Sequence, residues 1–175
     1  MKKLAFILFS FLLLTSWVVV KPDQSEEANA KIKAIYIYNF TKYIEWPDTY
    51  KSGNFIVGVY GTNTPLMNEL NKMAGTKMVG AQKFEIRNVS AAEAAQCHIV
   101  FIQPDNSAQL PEVIGKIKSK STLIVTDKPG LTGKGAGINF VVIENKQRIE
   151  LNKSNIEKYK LKVASALVEM AVQVK

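Results

Sequence analysis

Cysteine and histidine are almost missing from this 175-residue sequence, which has one of each, Cys97 and His98. A single cysteine excludes an internal disulfide framework and a cysteine-built zinc cage. A single histidine excludes a multi-histidine metal centre. Arginine is nearly as scarce. Of 23 basic residues only Arg87 and Arg148 are arginine, which argues against nucleic acid, whose phosphates and bases favour the planar guanidinium. The lysines behind the net charge of +8 are spread along the chain, as on a solvated surface and unlike a basic binding stripe. Six prolines and ten glycines leave no room for a low-complexity segment. What remains is ordinary globular composition, 47% hydrophobic and 22% charged, at a length that suits one domain with its own core.

The first thirty residues read as an address. Lys2 and Lys3 precede an apolar run over 4–20, broken only by Ser10, Thr15 and Ser16, and Lys21-Pro22 ends it. Ala28-Asn29-Ala30 then offers small residues at the spacing a signal peptidase reads. The expectation is a signal peptide over 1–30 and a mature domain over 31–175. An uncleaved anchor is the alternative, because a run of seventeen residues sits at the lower edge of the ~17–25 that span a bilayer. No cysteine follows the run to carry a lipid.

Downstream, residues 31–46 predict a helix with Ile32, Tyr36, Phe40, Tyr43 and Ile44 on one stripe, stopped at Trp46-Pro47. Strands and helices then alternate. Residues 55–60 predict a buried strand, and Thr64 and Pro65 cap and open a helix to about Met73. A strand over 84–89, a short helix over 90–96, a strand over 97–102, an amphipathic helix over 107–120 and a strand over 122–126 follow. Such alternation predicts an α/β domain with a mostly parallel sheet between layers of helices. After a glycine-rich loop at 130–137, expected near the sheet edge, strands over 138–143 and 147–151 are too close to be anything but an antiparallel hairpin. A single closing helix from Ser154 is expected to bury Leu161, Ala164, Leu167, Val168 and Ala171.

Few residues suggest chemistry. Cys97 and His98 resemble a nucleophile and its base, but neighbours on a strand point to opposite faces and cannot pair. Cys97 is therefore expected as a buried small hydrophobe, while His98 could still touch a ligand. The loop Gly130-Leu131-Thr132-Gly133-Lys134-Gly135 has neither the spacing nor the following helix of a phosphate-binding loop. Asp105 and Asp127 each follow an apolar strand, where α/β folds hold ligands outside the strand ends. With His98 they form a candidate ligand crevice. The first helix and its exit are rich in aromatics. Tyr38, Trp46 and Tyr50 are expected to face outward as a partner or dimer surface, since aromatics carry much interface energy.

Several segments together carry a resemblance. Tyr36-x-x-Asn39-Phe40-x-x-Tyr43-x-x-Trp46-Pro47, Gly58-Val59-Tyr60-Gly61, Cys97-His98-Ile99-Val100-Phe101-Ile102, Leu123-Ile124-Val125-Thr126-Asp127, Gly137-Ile138-Asn139-Phe140, Arg148-Ile149-Glu150-Leu151-Asn152 and Lys162-Val163-Ala164-Ser165-Ala166-Leu167 occur in the order of the YfiR family of secreted bacterial proteins. The chain resembles that family over roughly residues 31–173. The resemblance implies a periplasmic α/β module without catalysis or cofactor, often dimeric. Its implied partner is an inner-membrane signalling protein, a diguanylate cyclase or a histidine kinase. The family's redox disulfides cannot be carried over to a chain with Cys97 alone. A small periplasmic solute-binding protein is the second reading of the same crevice, and an enzyme built on Cys97 or the aspartates the third.

Overall fold

The computed structural model describes residues 24–62 and 65–174. The apolar leader run and the expected N-cap Thr64 lie outside those residues. The chain opens on α1 (Gln24–Tyr43), β1 (Ile44–Glu45), β2 (Phe55–Tyr60), α2 (Pro65–Ala74), β3 (Met78–Val79), β4 (Gln82–Asn88) and β5 (Ile99–Ile102). It continues through α3 (Leu110–Lys116), β6 (Leu123–Thr126), β7 (Ile138–Ile143), β8 (Lys146–Leu151), α4 (Lys153–Glu157), β9 (Lys162–Val163), α5 (Ser165–Met170) and β10 (Gln173–Val174). Eight strands form one sheet in the order β10-β8-β7-β6-β5-β2-β4-β3. The central run from β4 to β7 is parallel, and β8 returns antiparallel to β7.

This is the expected α/β architecture, and its central strands show why they had to be apolar throughout. All four residues of β5 and all four of β6 are buried, as they must be with helices on both faces. The crossovers β2-α2-β4 and β5-α3-β6 step in opposite directions from the β2/β5 junction. Right-handed connections therefore put α2 and α3 on opposite faces. Helix α1 lies on the α2 face, where Tyr36 and Phe40 pack against Phe140 and Tyr38 meets Phe84 edge-on. The β7–β8 turn is the tight kind: Glu144 and Asn145 both take positive φ, 50° and 59°, the backbone of a two-residue type I′ hairpin.

Three expectations fail. The first is the register of α1. Phe40 and Ile44 are buried and Tyr36 and Tyr43 pack on the core as expected, but the other buried residues of α1 are Ala30, Ala34 and Ile37, and Ile32 is 39% exposed. Helix α1 packs on the sheet and on α2 at once, so small alanines lie in the contact where a single stripe would place large residues. The second is the closing helix. Lys160 takes φ 61° and breaks it; β9 then pairs antiparallel with β1 through Ile44↔Val163 and Glu45↔Lys162. Leu161 and Leu167 are buried as expected, but from a strand approach and from α5. The third is the glycine-rich loop. It sits between β6 and β7, in the interior of the sheet order, as a 3₁₀ turn over Leu131–Lys134 with Leu131 and Thr132 buried. Asn152 and Asn155 hold it by donating to the Thr132 carbonyl.

Candidate functional site

Two ends of the central strands collect the residues of interest, and they collect different ones. At the amino end of β5, His98 is buried and stacked on Phe55 with ring centroids 4.3 Å apart. Trp46 and Tyr50 meet its ring edge-on. The imidazole Nδ1 accepts the Ile56 N–H at 3.1 Å, and Nε2 donates to the Tyr50 carbonyl at 2.8 Å. A backbone N–H can only donate and a carbonyl can only accept, so the ring is the neutral Nε2-protonated tautomer. Burial pushes its pKa below the ordinary 6.5, with the Tyr50 bond pulling the other way. His98 is a structural tie with both nitrogens used.

Cys97 turns to other neighbours, as strand alternation requires. Its Sγ lies 3.6 Å from the Glu93 carbonyl and against Gly58, where an added Cβ would stand only 2.7 Å away. Burial pushes its pKa up to about 11, so the thiolate a nucleophile needs is not available near neutrality.

Of the three aromatics expected at the surface, Trp46 and Tyr50 belong to the His98 cluster, and the buried Trp46 is a correction. Trp46 is buried and donates its indole N–H to the His98 carbonyl at 3.3 Å. Tyr50 is half-buried, and its hydroxyl accepts the Ser121 N–H at 2.9 Å. Tyr38 is half-buried too and donates its hydroxyl to the Met78 carbonyl at 2.9 Å. A residue just past a helix end is not thereby exposed; here the chain leaving α1 packs the Trp46 and Tyr50 rings against His98. The large apolar residues of α1 that do face solvent are Ile32 and Ile35, the latter 45% exposed.

At the carboxyl ends of β2, β5 and β6 lies a crevice of about 270 Å³. Chain order reverses direction there, at the β2/β5 junction, the place where open α/β sheets bind ligands. Phe101 forms its floor, Pro65 and Leu66 of α2 one wall, and Asn29, Ala30 and Lys33 of α1 the other. Asp127 stands in it, paired with Lys33 in an ion bridge whose side chains are each 18% exposed. Burial pushes the Asp127 carboxyl above its ordinary value, and Lys33 draws it back down.

Gln103, buried at the end of β5, reaches back to donate to the Thr62 carbonyl. It lies across Gly61, where an added Cβ would meet the Gln103 side chain at 2.8 Å and where φ is 131°. Only glycine suits that point. Of the crevice residues expected from sequence, Asp127 alone lines it. Asp105 is exposed on the 3₁₀ turn Pro104–Gln109, and His98 is at the other end of its strand. Lys33, Asn29 and Gln103 are the residues that sequence reasoning missed. Lys33 had no signal beyond its place on a helix, since lysine is everywhere in this chain. Among the described residues, no group of three or more His, Cys, Asp or Glu could hold a metal ion.

A family model for YfiR/HmsC-like proteins matches residues 30–172. The chain belongs to the YfiR/HmsC-like family. The family match suggests a periplasmic regulator of signalling. No curated protein matches the chain in sequence. Among solved structures it is similar to a conserved domain protein from Vibrio cholerae, with a TM-score of 0.58 and 13% identity over 83% of this chain and 60% of that one. It is also similar to an ABC domain in complex with L-Trp from Streptococcus pneumoniae, with a TM-score of 0.51 and 12% identity over 70% of this chain and 55% of that one. At such identities these two share the fold. The YfiR/HmsC-like chain spans less than two thirds of either structure's length.

Proposed function

We propose that this YfiR/HmsC-like protein is exported and represses an inner-membrane signalling protein, a diguanylate cyclase or a histidine kinase, by direct contact. The family match over 30–172 carries the reading. Residue placement supports it: Cys97 and His98 are both spent inside the core, which leaves binding energy as the means of control. In this reading the contact is made by the exposed apolar flank of α1, Ile32 and Ile35, since apolar groups on a stable helix can be buried by a partner without refolding.

The test is made in the native host. Deleting the gene should raise cyclic-di-GMP, or the output of the partner kinase, and exported wild-type protein should restore it. The same chain without residues 1–23 should not. Unchanged cyclic-di-GMP and unchanged kinase output on deletion would overturn the proposal.

A further inference from the structure

Lys33 and Asp127 form a pair that leaves part of its hydrogen-bonding capacity unused in the crevice. Lysine has three donors and an ionised carboxylate two acceptor oxygens. Among the described residues Lys33 gives one donor to Asp127 Oδ2, and Asp127 Oδ1 takes none. The pair lines the crevice at the topological switch point together with Phe101, Leu66 and Ala30, and Lys33 Nζ also lies 6.0 Å from the centre of the Phe140 ring. Gln103 is already fixed by its bond to Thr62, so this wall exists before anything binds. A site with an apolar floor and a few convergent polar groups is what a small-molecule pocket requires.

The charges decide the ligand class. An anion drawn to the Lys33 ammonium also meets the Asp127 carboxylate bonded to it, and Glu26 lines the same crevice. A cation drawn to Asp127 meets Lys33. A head group with no net charge, carrying a donor and an acceptor side by side, satisfies both members and breaks neither. The volume of about 270 Å³ falls just under the range of drug-sized sites, so the body must be compact. We infer that this crevice binds a small uncharged molecule with an apolar body and an amide- or hydroxyl-type head, seated on the Lys33–Asp127 pair. The inference is independent of the partner proposal, because binding is read on the isolated protein.

Three probes of one shape and different charge test it: benzamide, benzoate and benzylamine, titrated to millimolar concentration into isotope-labelled protein purified from the periplasm. Benzamide should give saturable NMR shifts at the backbone amides of Lys33, Phe101, Gln103 and Asp127, with the two charged probes at least tenfold weaker. Lys33→Met leaves a lone carboxylate and should make benzylamine the best probe. Asp127→Asn leaves a lone ammonium and should favour benzoate, so either variant alone supplies the inversion if the other does not fold. Absence of saturable shifts at these residues, equal affinity for all three probes, or a preference that neither variant changes would overturn the inference.

Discussion

Acid should loosen this fold through His98. Both ring nitrogens are committed, one accepting from Ile56 and one donating to Tyr50, and a second ring proton would point at the Ile56 N–H. Burial already holds the imidazole pKa below 6.5. The unfolded chain, by contrast, takes up a proton as pH falls through about 6.5. The stability His98 contributes is therefore complete above that pH and declines below it, toward the lowered folded value. For a histidine that stays neutral throughout, the loss between pH 7.5 and 5 is at most about 2 kcal/mol. For a domain of this size that is roughly 4–8 °C of melting temperature.

Urea unfolding followed by Trp46 fluorescence across that window measures the loss, and His98→Gln provides the baseline. The variant still titrates Glu85 and Glu93, whose carboxyls are held low by Arg87 and by the Ser90 backbone respectively and act only below about 4.5. It also keeps Asp127, whose raised pKa works in the opposite sense. Only the His98 contribution differs between the two curves. Parallel curves for wild type and variant would refute the reasoning.

Gly58→Ala should cost about 1–3 kcal/mol by overpacking, because the new Cβ meets Cys97 Sγ at 2.7 Å and Val89 Cγ2 at 2.8 Å. Adding Cys97→Ala should recover about 1 kcal/mol beyond additivity in urea unfolding, as contacting sites do. Tyr38→Phe should lose about 1 kcal/mol with the bond to Met78, and Tyr38→Ala roughly 2 kcal/mol once the Phe84 contact goes as well; calorimetry distinguishes them. Ile32→Glu with Ile35→Glu should leave the melting temperature within a few degrees, since exposed sites usually shift stability by under about 0.5 kcal/mol each, yet raise cyclic-di-GMP or kinase output in cells as deletion does. Full repression by that double variant would remove the α1 flank from the contact.

The parts of the fold legible in sequence were those where one local signal agreed with the tertiary environment. The run Phe55–Tyr60 became a strand of those bounds, because an apolar run ending at a glycine has no competing use in a parallel sheet. Pro65 opens α2 as its fixed φ favours. The misreadings occur where tertiary pairing overrode local periodicity. Residues 161, 164, 167, 168 and 171 keep a helical spacing, yet β9 gains hydrogen bonds from β1, and the Ala164 N–H donates to the Tyr43 carbonyl at 2.8 Å. The break falls at Lys160, a non-glycine residue with positive φ, for which the usual stop signals give no warning. Hairpin β3–β4 was half-seen because β3 is two residues long and shows no period.

The candidate site was legible to the extent that position along a strand fixes position in a crevice, and no further. Asp127 and Asp105 look alike in sequence, each just past an apolar strand that ends a βα unit. Parallel strands bring both to the same rim, so the rule that ligands sit beyond carboxyl ends favours them equally. What separates them is the next turn of chain. Past β5, Gln103 bends inward to Thr62, and Pro104 starts a 3₁₀ turn that carries Asp105 out to solvent. Past β6, Asp127 continues along the strand direction far enough to meet Lys33 of α1, ninety-four residues earlier in the chain. No local pattern encodes that meeting, because Lys33 lies on a helix whose register is set by Ala30, Ala34 and Ile37 packing beneath it. Mis-phasing α1 by its large residues therefore hid the lysine as well. A reading that weighted alanine as a contact residue would have turned the helix toward its observed face and placed Lys33 over the strand ends.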